Sequence, residues 1–176
     1  MRRSALSVEL ALLGFLRREP KHGYALHQEL SDPTGLGSVW QIKLGRLYAL
    51  LGKLEEAGYI RAVTELQENK PSRKIFHLTD EGESAFLSWV QSPVRHGRSL
   101  RLEFLVKLYF ARFEGAGVAA LLLAAQREQC RDWAEAEQEI IDEENESGRR
   151  YSRLVHQFRL GQIQAMLTWL DRCEEE

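Results

Sequence analysis

The stretch WQIKLGRLYALLGKLEEAGYI, Trp40 to Ile60, decides the fold. On a helix advancing about 100° per residue, Leu47, Leu50, Leu51 and Leu54 fall within one arc of roughly 100°, the width of an ordinary buried stripe. Gly45, Ala49, Gly52 and Glu56 fall on the opposite side. Tyr48 and Lys53 flank that outer face, Arg46 sits at its edge, and Gly58 follows as a helix stop. Glycine in a helix interior costs roughly 1 kcal/mol relative to alanine, so solvent alone gives no reason for Gly52. A surface that must come close to something large does, and with Arg46, Tyr48 and Lys53 beside it the natural partner is a nucleic-acid groove. The plainer alternative is a glycine tolerated on a well-packed helix.

Outward from that helix, the N-terminal side carries two more. Ser7 is placed as an N-cap, with Glu9 in the first turn of a helix running to about Arg18; Val8, Leu12, Phe15 and Leu16 make its apolar face. Glu19-Pro20-Lys21-His22-Gly23 reads as a turn. A short helix from Tyr24 to Leu30 comes next, then a loop over Asp32-Pro33-Thr34-Gly35-Leu36-Gly37. On the C-terminal side the period changes. Ile60 to Leu66 and Arg73 to Leu78 read as two short strands around a turn at Asn69-Lys70-Pro71-Ser72, with Lys70, Arg73 and Lys74 making a basic hairpin tip. Thr79 is placed as the N-cap of a helix reaching about Gln91, with Asp80 and Glu81 in its first turn; Ser92-Pro93 ends it. Three helices, a hairpin and a helix make a winged helix-turn-helix, in which the third helix enters the major groove and the hairpin tip reaches a neighbouring phosphate or minor groove.

Residues 98–176 are different in character: charged, helical and free of proline. One helix is expected over about Ser99–Phe113, with Leu100, Phe104, Leu108 and Phe110 among its apolar residues. Gly115-Ala116-Gly117 punctuates, and a long helix is expected over about Val118–Glu144, ended by Ser147-Gly148. The last helix repeats Tyr151, Val155, Phe158, Gln162, Ala165, Trp169 and Cys173 at spacings near 3.5, a helix-packing seam. Two long antiparallel helices cannot hide that much apolar surface, so burial against a second copy is expected, which also suits a twofold duplex partner; an intrachain three-helix bundle is the alternative. The fold class is therefore mainly α, with a winged helix-turn-helix over 1–91 and an α-helical dimerisation domain over 92–176.

Composition bounds the function. The chain has 176 residues, 44% of them hydrophobic and a formal charge of −2. Residues 1–91 hold 12 Lys+Arg against 11 Asp+Glu and residues 92–176 hold 12 against 15, so any affinity for DNA must come from a local basic patch rather than the global charge. No apolar run approaches the ~20 residues that cross a bilayer, and the opening MRRSALSVELALLGFL, interrupted by Glu9, suits an amphipathic helix better than a signal peptide; a cytoplasmic protein is expected. Cys130 and Cys173 are far apart and read as small buried apolar residues. His22, His27, His77, His96 and His156 are scattered without metal-ligand spacing, and neither a nucleophile elbow nor a phosphate-binding glycine loop occurs. No enzyme, metal or cofactor is expected.

With both halves in view, the chain resembles the PadR family of transcriptional regulators, specifically members with a long helical C-terminal domain. The resemblance rests on Gly45, Leu47-Tyr48, Leu51, Leu54-Glu55 and Gly58-Tyr59-Ile60 at the family's spacings. His22-Gly23-Tyr24 resembles the motif opening the second helix. Lys74 to Phe76, then Leu78-Thr79-Asp80-Glu81-Gly82, resembles the family's wing strand running into Leu-Thr-x-x-Gly, and Arg101 to Phe110 the start of its C-terminal domain. The resemblance implies a homodimeric DNA-binding regulator, most often a repressor, in many members released from DNA by a small effector. One place departs from the pattern. Where the family has Ser and then Pro at the start of the recognition helix, Lys43 and Leu44 stand here. A lysine is a poor cap and a cation is disfavoured at a helix N-terminus, which a nearby phosphate would offset.

The expected DNA contacts are Lys43, Arg46, Tyr48 and Lys53 from the recognition helix and Lys70, Arg73 and Lys74 from the wing. Phosphate contacts should dominate, with Arg46 the best candidate for a guanine; the Tyr48 ring could instead pack on the second helix. Trp89, Phe104, Tyr109 and Trp133 are the aromatic candidates for an effector pocket between the domains or at the dimer interface, although a place in the core is the plainer reading for each. From another class, a dimeric interaction module whose winged helix no longer binds DNA also fits the weak basicity.

Overall fold

The computed structural model describes residues 7–67 and 70–175, with the side chains at 66–67, 70–71, 146–147 and 174–175 left out of account. A 3-10 turn over Val8–Leu10 leads into α1 (Ala11–Arg18); then come β1 (Lys21–His22), α2 (Gly23–Leu30), a 3-10 turn over Leu36–Ser38, α3 (Leu44–Glu56), β2 (Ile60–Gln67), β3 (Lys70–Leu78) and α4 (Asp80–Gln91). A further 3-10 turn over Gly97–Arg101 precedes α5 (Glu103–Glu114), α6 (Ala116–Ser147) and α7 (Arg150–Glu175). The winged helix-turn-helix order is as expected, with refinements that have local causes.

Ser7 does not cap a helix with its side chain; its N–H is instead taken by the Glu9 carboxylate at 3.1 Å, and the chain makes a 3-10 turn before the α-helix starts. The turn expected at 19–23 contains β1, which pairs antiparallel with β3 (Lys21 opposite Phe76, His22 opposite Ile75), so the hairpin becomes a three-stranded sheet in the order β1-β3-β2. The hairpin is also longer than expected. Lys70 already pairs with Gln67, which puts Pro71 and Ser72 inside β3 rather than in a turn; Asn69 lies outside the described residues. The register shifts between Glu65 and Gln67, the kind of irregularity where a strand tolerates a proline without an N–H.

Thr79 caps α4 as its sequence indicates: its hydroxyl oxygen accepts from the Gly82 N–H at 3.1 Å and its O–H donates to the Gly58 carbonyl at 2.7 Å. A β-carbon on Gly82 would stand 2.0 Å from the Tyr59 carbonyl oxygen, so only glycine lets α4 begin this close to the end of α3. Phe110 on α5 meets two rings of the winged half edge-on, Phe86 on α4 at 5.6 Å and Phe15 on α1 at 5.2 Å between ring centres, and a β-carbon on Gly14 would collide with both Phe86 and Phe110. The buried core is thus continuous from the winged half into the C-terminal helices.

In that half, the helix expected from Ser99 starts only at Glu103, after the 3-10 turn. The long helix is longer than its apolar residues indicate: α6 has 32 residues, about 48 Å at 1.5 Å per residue, and ends on Gly148 in the left-handed region at φ 72°. α7 returns along it. The expected seam divides. Trp169 packs edge-on against Phe104 at 6.0 Å, whereas Tyr151, Phe158, Gln162 and Ala165 are exposed. The line of α7 that faces α6 and the core runs through His156, Ile163, Met166 and the fully buried Leu170, about a quarter-turn away. Among the described residues, no helix is long and apolar enough to cross a membrane.

Candidate nucleic-acid interface

The inner face of α3 is closed: Leu47, Leu51 and Leu54 are fully buried and Leu50 nearly so. Two histidines hold the helix-turn-helix in place. His22 caps α2, its Nδ1 accepting from the Ala25 N–H at 3.1 Å, which requires that nitrogen to be unprotonated. The His27 ring donates from Nε2 to the Ile42 carbonyl at 2.9 Å, tying α2 to the residues just before α3. Neither role has a signal in the sequence, because histidine is not among the preferred caps and a ring-to-carbonyl bond across fifteen residues has no local pattern. The far end of α3 closes with a Schellman pair, Tyr59 N–H to Leu54 O and Gly58 N–H to Glu55 O, both 3.0 Å, with Gly58 at φ 79°.

The outer face is open. Gly45 and Ala49 are exposed, and a β-carbon added at Gly45 or Gly52 would meet nothing within 4 Å. No packing therefore demands glycine at either place. Lys43, Arg46 and Lys53 are exposed around this strip, and among the described residues none has a carboxylate partner. Lys43 occupies the N-cap position in an extended conformation without a side-chain cap bond. Tyr48 is 45% exposed, yet its ring leans back on α2: a β-carbon on Gly23 would stand 2.6 Å from it. In the wing, Lys74 is exposed, while Arg73 sits opposite Glu65 and binds its carboxylate at 2.8 Å. The side chain of Lys70 lies outside the described residues. The arrangement is a shallow small-residue strip rimmed by cations, with a partly neutralised wing beside it.

The four aromatic candidates for an effector pocket do not come together. Phe104 is fully buried against Trp169. Trp89 is buried between Phe86 and the Lys107 ammonium, which lies 5.2 Å from its ring centre, and its indole N–H finds no acceptor among the described residues. Tyr109 stacks edge-on against Phe110 and Phe113. Trp133 alone, half-buried on α6, lines an open cleft between α6, α7 and the 3-10 turn before α5. Lys107 is itself a buried cation that the sequence does not flag. Its ammonium donates to the Ser92 carbonyl at 2.8 Å, and burial lowers its pKa below the ordinary 10.5 against the opposing pull of Glu103. Cys130 is buried and its thiol pushed up by burial, while Cys173 is half-buried. Among the described residues, no three His, Cys, Asp or Glu side chains are grouped to hold a metal ion.

Comparison with known proteins accounts for both halves. The family model described as "transcriptional regulator PadR-like family" matches residues 12–88, and the one described as "virulence activator alpha C-term" matches residues 100–176. The negative transcriptional regulator PadR of Bacillus subtilis is 31% identical over 106 residues, 58% of this chain and 56% of that protein. A probable transcriptional regulator of Mycobacterium tuberculosis is 29% identical over 118 residues, 63% of this chain and 61% of that protein. The chain thus matches less than two thirds of the length of either relative. Among solved structures, Bacillus subtilis PadR in complex with operator DNA aligns over 95% of this chain and 97% of that one, at 24% identity and a TM-score of 0.48.

Proposed function

We propose that the chain is a PadR-like transcriptional regulator, a homodimeric, DNA-binding repressor released from its operator by a small effector. The observation that carries the DNA-binding part is the outer face of α3, where open space stands above Gly45 and Gly52 and Lys43, Arg46 and Lys53 rim it without partners among the described residues. That surface lets a phosphate backbone approach the helix closely, and its cations supply the sequence-independent attraction that dominates duplex affinity. Arg46, at the edge of the strip, is the side chain long enough to reach a guanine edge. Lys74 adds a phosphate contact from the wing. Arg73 does so only by exchanging its bond to Glu65.

Support for the dimer comes from α7. Tyr151, Leu154 and Phe158 lie along one side of it and are 81%, 60% and 66% exposed in the single chain. A stripe of that size on a water-facing helix is what a second copy would cover. A twofold pair places two α3 helices on one side of a duplex, about 34–36 Å apart for adjacent major grooves. The test is a fluorescence-anisotropy titration with duplex from upstream of the protein's own gene against a scrambled duplex, alongside light scattering on the free protein. A dimer that prefers its own upstream DNA is expected. A dimer with no affinity for either duplex would leave only an interaction module.

A further inference from the structure

The cleft that Trp133 lines holds about 850 Å³, within the range of small-molecule sites. Its composition is unusual for its surroundings. Residues 92–176 carry an excess of acid, yet from Ser92 to Leu102 there is no Asp or Glu, and Arg95, Arg98 and Arg101 all line the cleft. All three are exposed, and among the described residues none has a carboxylate within ion-pairing distance. On the opposite wall Glu137 is already engaged, 2.6 Å from His156 Nδ1 and 3.9 Å from the Arg159 guanidinium. Leu100, Trp133, Ile163 and Met166 give the cleft an apolar part of its lining. An indole in the lining of a cleft offers a flat stacking surface, and arginine forks beside it present several N–H donors to anionic oxygens.

We propose that this cleft binds a flat organic polyanion, its ring system on Trp133 and its negatively charged groups against Arg95, Arg98 and Arg101. Three unpaired arginines call for more than one negative charge, since a single carboxylate would leave most of the repulsion among them in place. As the site of the effector, the cleft rests on the regulator described above, while its binding chemistry can be measured without DNA. The linker carrying the arginines runs from α4 into α5, so an anion that draws it toward α6 and α7 acts on the segment joining the winged half to the rest.

The probe is 8-hydroxypyrene-1,3,6-trisulfonate, titrated into the full chain by fluorescence anisotropy, with 1-hydroxypyrene as the same ring system lacking sulfonates. The trisulfonate should saturate one site per chain and bind at least about tenfold more tightly than 1-hydroxypyrene, as expected if charge-assisted bonds contribute. Arg98→Gln/Arg101→Gln should lower the trisulfonate's affinity by about tenfold or more while leaving 1-hydroxypyrene unaffected; Trp133→Ala should weaken both. Phe158→Ser removes one aromatic side chain of the exposed stripe on α7 and should change neither. Equal binding of the two dyes, or trisulfonate binding that survives the arginine substitutions or is lost with Phe158→Ser, overturns the proposal. So does failure of the trisulfonate to bind at all, the outcome if a second copy fills the cleft. If the arginine substitutions weaken duplex binding in the absence of dye, the arginines serve DNA and the proposal falls. Duplex binding without dye binding removes the cleft and leaves the regulator; dye binding without duplex binding does the reverse.

Discussion

The ring of Tyr48 lies directly over Gly23, with its Cε1 and Cζ 2.6 Å from where a β-carbon on that glycine would stand. The first residue of α2 is thus the seat for a side chain on the outer flank of α3. Gly23→Ala should push the ring off this seat and out toward the space a duplex would occupy. Because only the far end of an exposed side chain must move, the stability cost should stay below about 1 kcal/mol, while duplex affinity falls several-fold. Thermal unfolding and anisotropy on the same sample separate the two; an unchanged affinity would show that the ring's position is irrelevant to DNA.

Glycines at two other positions should respond in opposite ways. Gly52→Ala adds a methyl into open space within a helix and should stabilise the protein by about 0.5–1 kcal/mol, yet weaken duplex binding because it fills the strip. Gly82→Ala drives a methyl against the Tyr59 carbonyl and should destabilise by about 3 kcal/mol or more, since backbone rather than a side chain must yield. Chemical denaturation midpoints check both. A Gly52→Ala protein that is more stable and binds DNA as before would mean that no duplex approaches α3 there.

The salt dependence of binding should count the phosphate contacts. Arg46→Ala should reduce affinity more for the preferred duplex than for a scrambled one, the sign of a base contact. Lys53→Ala and Lys74→Ala should weaken both alike and each flatten the plot of log affinity against log salt by about one contact. Arg73→Ala should do less, because its guanidinium is already bonded to Glu65; Glu65→Gln, which removes a negative charge from the wing, should raise affinity.

Lys107 gives a pH prediction of definite sign. Burial lowers its folded-state pKa below the 10.5 of an exposed lysine. Between the lowered value and 10.5, the unfolded chain binds more protons than the folded one, so stability contributed at this site rises with pH across that window. Below the window, the cost of keeping a buried charge is present in full. Relative to Lys107→Met, which removes the titration, the wild-type protein should gain stability as pH is raised toward 10.5. A difference that stays flat or falls would place the ammonium in a better-solvated setting than its contacts indicate.

Phe158→Glu places a charge at the C-terminal end of the exposed stripe on α7. It should leave the monomer's helix content intact and shift the protein to single chains by light scattering, with a parallel loss of duplex affinity. A dimer that persists would locate the interface elsewhere.

Much of the fold is legible in the residues because it depends on spacing. The leucine arc of α3, the glycine stops at Gly58 and Gly148, and the Thr79 cap each depend on a few neighbours, and each stands where its pattern puts it. The features that escape depend on distant partners. Two residues of β1 have no periodicity, and they become a strand only because Ile75 and Phe76 run beside them. The Arg73–Glu65 bond needs the register, which the greater length of the hairpin sets. On α7 the spacing gives the period but not which side meets α6; of the expected seam, Trp169 packs inward on Phe104, far away in the chain, while the buried line runs a quarter-turn from the rest. The aromatic candidates scatter for a related reason: large rings satisfy a core as readily as a pocket, and only the cleft itself distinguishes Trp133 from the others.

Phe110, from the C-terminal half, closes over Gly14 and Phe86 of the winged half. A fragment cut after Gln91 would be a house without its roof, its aromatic interior open to water and prone to clump with its neighbours. Studies of DNA binding should therefore use the whole chain, and anything that shifts α5 is felt at once in the frame that carries α3.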